Sequence, residues 1–144
     1  MNSYSPKNAV IRTEDPRFLK GAGKYVDDIN LPKQLHGFLL RSPHAHANII
    51  SIDVRAAKKA PGVIGVITGK EYLAANLGPM PHNTSTIPGF SPDSIYQATH
   101  YPLATDRVRY VGDGVVFIVA ETTLQAQDAS ELIEIDYEIL SAVV

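Results

Sequence analysis

Six consecutive apolar residues, Val115-Val116-Phe117-Ile118-Val119-Ala120, leave this chain little choice of architecture near its C-terminal third. Successive side chains of a strand point to opposite faces, so a run that is apolar at every position has no face to give to water. It predicts a central strand, covered above and below. Immediately after it, Thr122 stands three residues before Gln125, the spacing of a helix N-cap and its reciprocal partner. Leu124, Ala126, Ala129, Leu132 and Ile133 then recur at helical intervals and predict a helix lying on the sheet. The period next drops to two: Ile133, Ile135, Tyr137 and Ile139 alternate with Glu134, Asp136 and Glu138, so one face is buried and the carboxylates form its solvated back. Residues 115–139 therefore read as strand, helix, strand.

Residues 49–68 carry a shorter version of the same plan. Ile50, Ile52 and Val54 alternate with Ser51 and Asp53, a short helical run from Arg55 follows with Asp53 as its expected cap, Pro61 ends it, and Val63-Ile64-Gly65-Val66-Ile67 is the second strand. A right-handed crossover over each helix would pair the two strands of each unit in parallel. Further strands are expected near residues 23–26 and 36–40. The sum is an α+β fold, a mixed sheet with two βαβ units, forming one domain over residues 1–144. Residues 73–105 interrupt it with Pro79, Pro81, Pro88, Pro92, Pro102, Gly78 and Gly89, which break both periodicities. A long irregular insert, against a median connection of roughly 4–6 residues, marks a functional or partner-bound segment.

Charge and cysteine usage narrow the function. Thirteen Lys plus Arg against 15 Asp plus Glu give a net charge of -2, too even for a basic nucleic-acid groove. With no Cys there is no disulfide, thiolate metal site, iron-sulfur ligation or Cys nucleophile. Polar Asn2, Ser3, Ser5, Lys7 and Asn8 break any secretory apolar run, and no stretch approaches the roughly 18 apolar residues of a membrane span. The expectation is a cytoplasmic, soluble chain.

Most chemical motifs fail on spacing. Gly21-Ala22-Gly23-Lys24 and Gly69-Lys70 suggest phosphate loops, but the required earlier Gly and following hydroxyl are replaced by Phe18 and Tyr25 in one and by Ile64 and Glu71 in the other. His44 and His46 would share a face of an extended segment and could begin a metal site, yet no third ligand stands nearby, and packing is the preferred reading. Asp27-Asp28 and Glu14-Asp15 lack a spacing that selects an acid-base pair; Arg12, Arg17 and Lys20 are expected to pair with Glu14 and Asp15 at the surface. Ser42-Pro43-His44 has no orienting acid. No catalytic, cofactor-binding or metal-ligating residue is assigned.

What remains unexplained is a series of phrases: Glu14-Asp15-Pro16-Arg17, Gly21-Ala22-Gly23-Lys24-Tyr25-Val26-Asp27-Asp28, Arg41-Ser42-Pro43-His44-Ala45-His46-Ala47, Pro61-Gly62-Val63, Arg109-Tyr110-Val111-Gly112, Ala120-Glu121-Thr122 and Glu131-Leu132-Ile133-Glu134. In order and rough spacing this series resembles the opening of the large subunit of molybdenum hydroxylases, the family of xanthine dehydrogenases, aldehyde oxidases and aerobic carbon monoxide dehydrogenases. The resemblance covers about residues 12–144 and implies the α/β hammerhead domain. One departure is local: the family usually has an acid or amide and then Pro after the Gly of the turn, where this chain has Asp113-Gly114.

The resemblance implies a structural, docking role. The complete enzyme would carry a molybdopterin-type molybdenum cofactor, with iron-sulfur clusters and FAD on partner chains, while the pterin-binding loops and the carboxylate base lie downstream of this segment. The partners implied are the cofactor-binding remainder of the large subunit and the iron-sulfur and flavin subunits; nucleic acid and membrane spans are not. The expected contact residues are Arg41, Ser42, Pro43, His44, His46, Val111, Gly112 and Asp113, chosen for small neighbours and turn chemistry. The rival expectation is a free-standing small-ligand-binding domain or enzyme that reuses the fold. It would require a concave apolar pocket with convergent polar groups.

Overall fold

The computed structural model describes residues 12–81 and 98–142, and the chain divides into two units, residues 1–34 and 35–144. In the larger unit the all-apolar run is strand β5 (Gly114–Ala120), flanked on both sides by β1 (His36–Arg41) and β3 (Val63–Thr68). Val115, Val116, Ile118 and Ala120 are buried, but Phe117 is 36% exposed and Val119 half-buried, so the face of Val116, Ile118 and Ala120 is covered and the opposite face only in part. A second three-stranded sheet has the order β4 (Arg107–Val108), β2 (Ala47–Asp53), β6 (Glu134–Ile139). Both sheets are antiparallel throughout. One core joins them, with Ala47, Ile49 and Val108 from one sheet, Val66, Val116 and Ile118 from the other, and Ala126 and Ala129 of helix α3 (Thr123–Glu131).

The strand-helix-strand order of both units is as the sequence predicts, but the parallel pairing is not. Each unit sends its two strands to different sheets, β2 and β3 in one case and β5 and β6 in the other. Between β2 and β3 the reason is reach, since a parallel return needs a crossover of about a dozen residues or more and only residues 54–62 with one 3-10 turn at Ala57–Lys59 intervene; the connection through α3 is long enough, and there β6 pairs with β2 instead of β5. The single mixed sheet is thus replaced by two antiparallel ones.

Several local expectations change for identifiable reasons. A register shift between Ile49 and Ser51 puts a bulge in β2, so Ala47 and Ile49 point inward while Ile50 is 55% exposed. Asp53 accepts from the Arg55 N–H and pairs with its guanidinium, so it closes a turn instead of capping the helical run. Thr122 does cap α3, accepting from Gln125 N at 3.2 Å. The buried face of that helix is Ala126, Ala129 and Ser130, whereas Leu124 is 71% exposed. Small residues let the helix axis approach the sheet, and the larger Leu124 lies off that face. Strand β6 keeps its alternation through Ile135 and Tyr137, but Ile139 is exposed at its end.

Helix α2 (Gly69–Ala74) was not expected. Thr68 accepts from Glu71 N at 3.3 Å, and the Glu71 carboxylate accepts from Thr68 N at 2.8 Å, a complete capping box. Of the proline-rich insert, residues 82–97 lie outside the described residues. Its described flanks are tied together by the Met80 N–H donating to the His100 carbonyl, and Leu103 and Ala104 are buried.

In the smaller unit, helix α1 (Asp15–Leu19) begins with Asp15 and Pro16, and residues 23–26 form no strand; a 3-10 turn at Val26–Asp28 follows instead, closed by Asp28 accepting from Tyr25 N at 3.0 Å. Among the described residues Arg12, Arg17 and Lys20 form no ion pair with Glu14 or Asp15. The Arg17 guanidinium lies instead over the Phe18 ring, 5.1 Å from its centroid, and Phe18 stacks on Tyr25.

Candidate functional site

Both phrases expected to make contacts sit at one end of the larger unit, where the chain changes sheet. Residues 42–46 lead from β1 to β2, and residues 109–113 lead from β4 to β5. Because Arg41 is opposite Gly114 in the β1–β5 register, the two connections begin side by side. Backbone bonds then lock them: Ser42 N donates to the Asp113 carbonyl and Gly112 N to the Ser42 carbonyl, each at 2.8 Å. Arg41 Nη1 donates to the Gly112 carbonyl, also at 2.8 Å. The turn itself closes when Asp113 N donates to the Tyr110 carbonyl and Arg109 N to Asp113 Oδ2. Gly112 has φ +89°, a left-handed conformation that a side chain would strain. Gly114 serves another need: a Cβ there would stand 3.1 Å from the Pro102 carbonyl oxygen.

The individual side chains have distinct surroundings. Ser42 is buried, and its hydroxyl both donates to the His44 carbonyl and accepts from His44 N, fixing the bend through Pro43. The His44 ring meets Tyr137 edge-on at 4.9 Å. His46 Nδ1 is 2.7 Å from the Ser141 carbonyl oxygen; a carbonyl only accepts, so Nδ1 carries the proton. The two histidines therefore engage different neighbours, an aromatic ring and a carbonyl. Among the described residues no three His, Cys, Asp or Glu side chains converge on a metal-sized space.

Sequence reasoning missed the residues that surround this clamp. Tyr137 lies in the inward phase of β6, and its buried hydroxyl makes no hydrogen bond of acceptable geometry. Burial raises the Tyr137 phenol pKa, the Asp113 carboxylate adds to that, and the nearby Ser42 hydroxyl opposes both. Tyr110 is also raised, by burial first and then by Asp113, with Arg41 opposing. Arg107 and Arg109 stand two apart on and just beyond β4 and face the same depression, a spacing that was legible but not used.

That depression, about 460 Å³ and open, is lined by Ala45, His46, Arg107, Arg109, Tyr110, Val111 and Ala142. A second hollow of about 260 Å³ lies beside it, against Asp106, Arg109, Tyr110 and Asp113 and residues 99–101 and 103–105. The two carboxyls held low in pKa are elsewhere. Asp53 is lowered to about 2 by its hydrogen bonds to Arg55. Burial raises Glu71, but its bonds from Lys58 and Thr68 together outweigh that and leave it lowered. Among the described residues no helix is long and apolar enough to cross a membrane.

Comparison with known proteins identifies the fold. Residues 20–141 match the family model described as aldehyde oxidase and xanthine dehydrogenase, a/b hammerhead domain. The carbon monoxide dehydrogenase large chain of Afipia carboxidovorans is 42% identical over 133 residues, 92% of this chain and 15% of that one. The nicotine 6-hydroxylase large subunit of Paenarthrobacter nicotinovorans is 42% identical over 134 residues, 93% of this chain and 16% of that one. The solved quinoline 2-oxidoreductase from Pseudomonas putida 86 superposes with a TM-score of 0.80 at 40% identity, covering 93% of this chain and 16% of that chain. This chain therefore spans only 15–16% of the length of these relatives. It belongs to the aldehyde oxidase and xanthine dehydrogenase family as an a/b hammerhead domain.

Proposed function

We propose that this chain is the structural, docking domain of a molybdenum-dependent hydroxylase large subunit, and that it packs against the cofactor-binding remainder of that subunit through residues 41–46 and 111–113. The observation that carries the reading is the clamp between the two connections, with Ser42 bonded to both Gly112 and Asp113 while Val111 beside them is 66% exposed. A rigid frame that presents open apolar surface suits association, because little order has to be imposed on binding. In this reading the molybdopterin-type cofactor belongs to the remainder of the large subunit, the iron-sulfur clusters and FAD belong to partner chains, and the assembly is cytoplasmic. The 1–144 chain acts as one domain in it.

A free-standing ligand-binding domain or enzyme would need an enclosed apolar cavity with convergent polar groups. Both hollows beside the clamp are open, and Asp53 and Glu71 lie outside them. The test is reconstitution: the Afipia carboxidovorans large chain is produced without its matching segment, and this chain is supplied separately. A stoichiometric complex on gel filtration is expected, weakened by Val111→Arg with Arg41→Glu. Failure of the unaltered chain to associate would refute the docking role.

A further inference from the structure

Resting on that docking reading, we infer that the depression between His46, Arg107, Arg109, Tyr110 and Val111 seats a carboxylate-bearing, otherwise apolar segment of the large-subunit remainder. Arg107 and Arg109 line it, and no carboxylate does, although the chain as a whole is acidic at -2. Arg109 also lines the neighbouring hollow, where Asp106 and Asp113 stand, but among the described residues the acids nearby make no ion pair with it and are engaged by uncharged donors. Glu138 accepts from Asn48 Nδ2 at 2.7 Å, Asp106 from the Thr105 hydroxyl and Asp113 from Arg109 N.

Both guanidinium groups are positioned without being neutralised. Arg107 donates its Nε to Asn48 Oδ1 at 2.8 Å, and Arg109 donates Nη1 to the Arg107 carbonyl at 3.2 Å. Each partner is an uncharged oxygen. The ion pairs among the described residues are Arg55–Asp53 and Lys58–Glu71, neither of which touches the depression. A guanidinium has five N–H donors, so each arginine keeps most of its fork for an incoming carboxylate. The backbone that carries them is fixed by pairing of β4 with β2 and by the closed 110–113 turn. The site is therefore pre-formed.

The surroundings favour a protein carboxylate over a free phosphate. Phosphate sites recruit unengaged backbone N–H groups, as at helix N-termini and glycine-rich nests. Here the N–H groups of Arg109, Gly112 and Asp113 are already bonded to Asp113 Oδ2, the Ser42 carbonyl and the Tyr110 carbonyl. Ala45, Val111 and Ala142 supply apolar walls on the same depression. An acid flanked by apolar residues matches both features.

The experiment measures affinity of this chain for the Afipia carboxidovorans large chain lacking its matching segment, at about 50 and about 300 mM NaCl. For the unaltered chain, binding weakens with salt. Arg109→Glu, and Arg107→Glu with Arg109→Glu, weaken binding about tenfold or more at low salt and flatten the salt dependence, while Arg109→Lys recovers part of it. Circular dichroism and thermal melting verify that each variant is folded, and the exposed Arg109 single variant avoids the half-buried Arg107. If the unaltered chain binds but the glutamate variants bind equally well at both salts, the carboxylate seat is wrong and docking stands. If the unaltered chain does not bind, both fall. Should inorganic phosphate shift the His46 ring signals while the arginine variants leave assembly unchanged, a free anion is the occupant and the proposal is overturned.

Discussion

Helix propensity and packing disagree in sign at Gly69, and the structure decides between them. Gly69 opens helix α2, and replacing Gly by Ala in a helix ordinarily gains about 0.5–1 kcal/mol, with a smaller unfolded-state entropy as part of that gain. Here a Cβ would stand 2.2 Å from the Ala104 carbonyl oxygen, 2.8 Å from its carbon and 3.0 Å from Thr105 Cα. All three are main-chain atoms of a segment that has little freedom to withdraw. Ala104 is itself buried, and its N–H donates to the Gly114 carbonyl at 2.7 Å on the central strand. Overpacking of this kind costs about 1–3 kcal/mol or more, which exceeds the propensity gain. Gly69→Ala is therefore expected to lower stability by about 1–2 kcal/mol net, and the melting temperature by about 2–4 °C per kcal/mol in a chain of this size. Gly65→Ala is the internal control, because nothing lies within 4 Å of its Cβ. Urea unfolding of both variants beside the parent decides the matter. A Gly69→Ala midpoint at or above that of Gly65→Ala would show that residues 104–105 do not press on the helix start.

Three other outcomes follow from single contacts. Thr68→Val keeps the branched shape but removes the oxygen that accepts from Glu71 N, so urea unfolding should show a loss of about 1 kcal/mol with unchanged slope; no loss would mean the box contributes nothing. Tyr137→Phe removes a buried hydroxyl with no acceptable partner and should leave the protein equally stable or up to about 1 kcal/mol more stable, whereas a loss above about 1 kcal/mol would reveal a bond to Ser42. Asp53, lowered from 3.8 to about 2, contributes stability that is present above the ordinary carboxylate range and is lost as pH falls through about 2. Asp53→Asn should therefore flatten that part of the acid-unfolding profile, and an identical profile would exclude the Arg55 contact as its source.

What was legible in the sequence is what local periodicity controls. The β5 run buries Val115, Val116, Ile118 and Ala120 but leaves Phe117 exposed and Val119 half-buried, the β6 alternation holds up to Ile139, and Thr122 caps α3 as its position suggests. The bulge in β2 was not legible, because one extra residue changes which of Ile49 and Ile50 faces inward without altering composition. Helix α2 is marked in the sequence only by its capping box, Thr68-Gly69-Lys70-Glu71, because its 6 residues are too few to show an apolar stripe. At the candidate site, both contact phrases were visible as phrases. Their mutual bonds were not, because residues 42 and 112 meet only after β5 has paired with β1.

That pairing explains why the clamp and the sheet change coincide. At one end of the larger unit the chain crosses between sheets three times, through residues 42–46, through residues 109–113 and by the long connection from β3 to β4 that begins with α2, and the two short crossings bond to each other. At the other end it crosses twice, through residues 54–62 and through α3, and there Glu121 N donates to the Gly62 carbonyl at 2.9 Å. The two sheets share one core, and a tie at each end adds to it. The far end gains its tie from helix burial, with Ala126 and Ala129 inside the core. At the near end the short helix α2 leaves β3 at Thr68, opposite Val116, but buries only Gly69; the tie there is made by main-chain bonds around Ser42, Gly112 and Asp113, and the depression beside them stays open. Under the proposed docking role, the end with the open depression is the one that a neighbouring part of the large subunit completes.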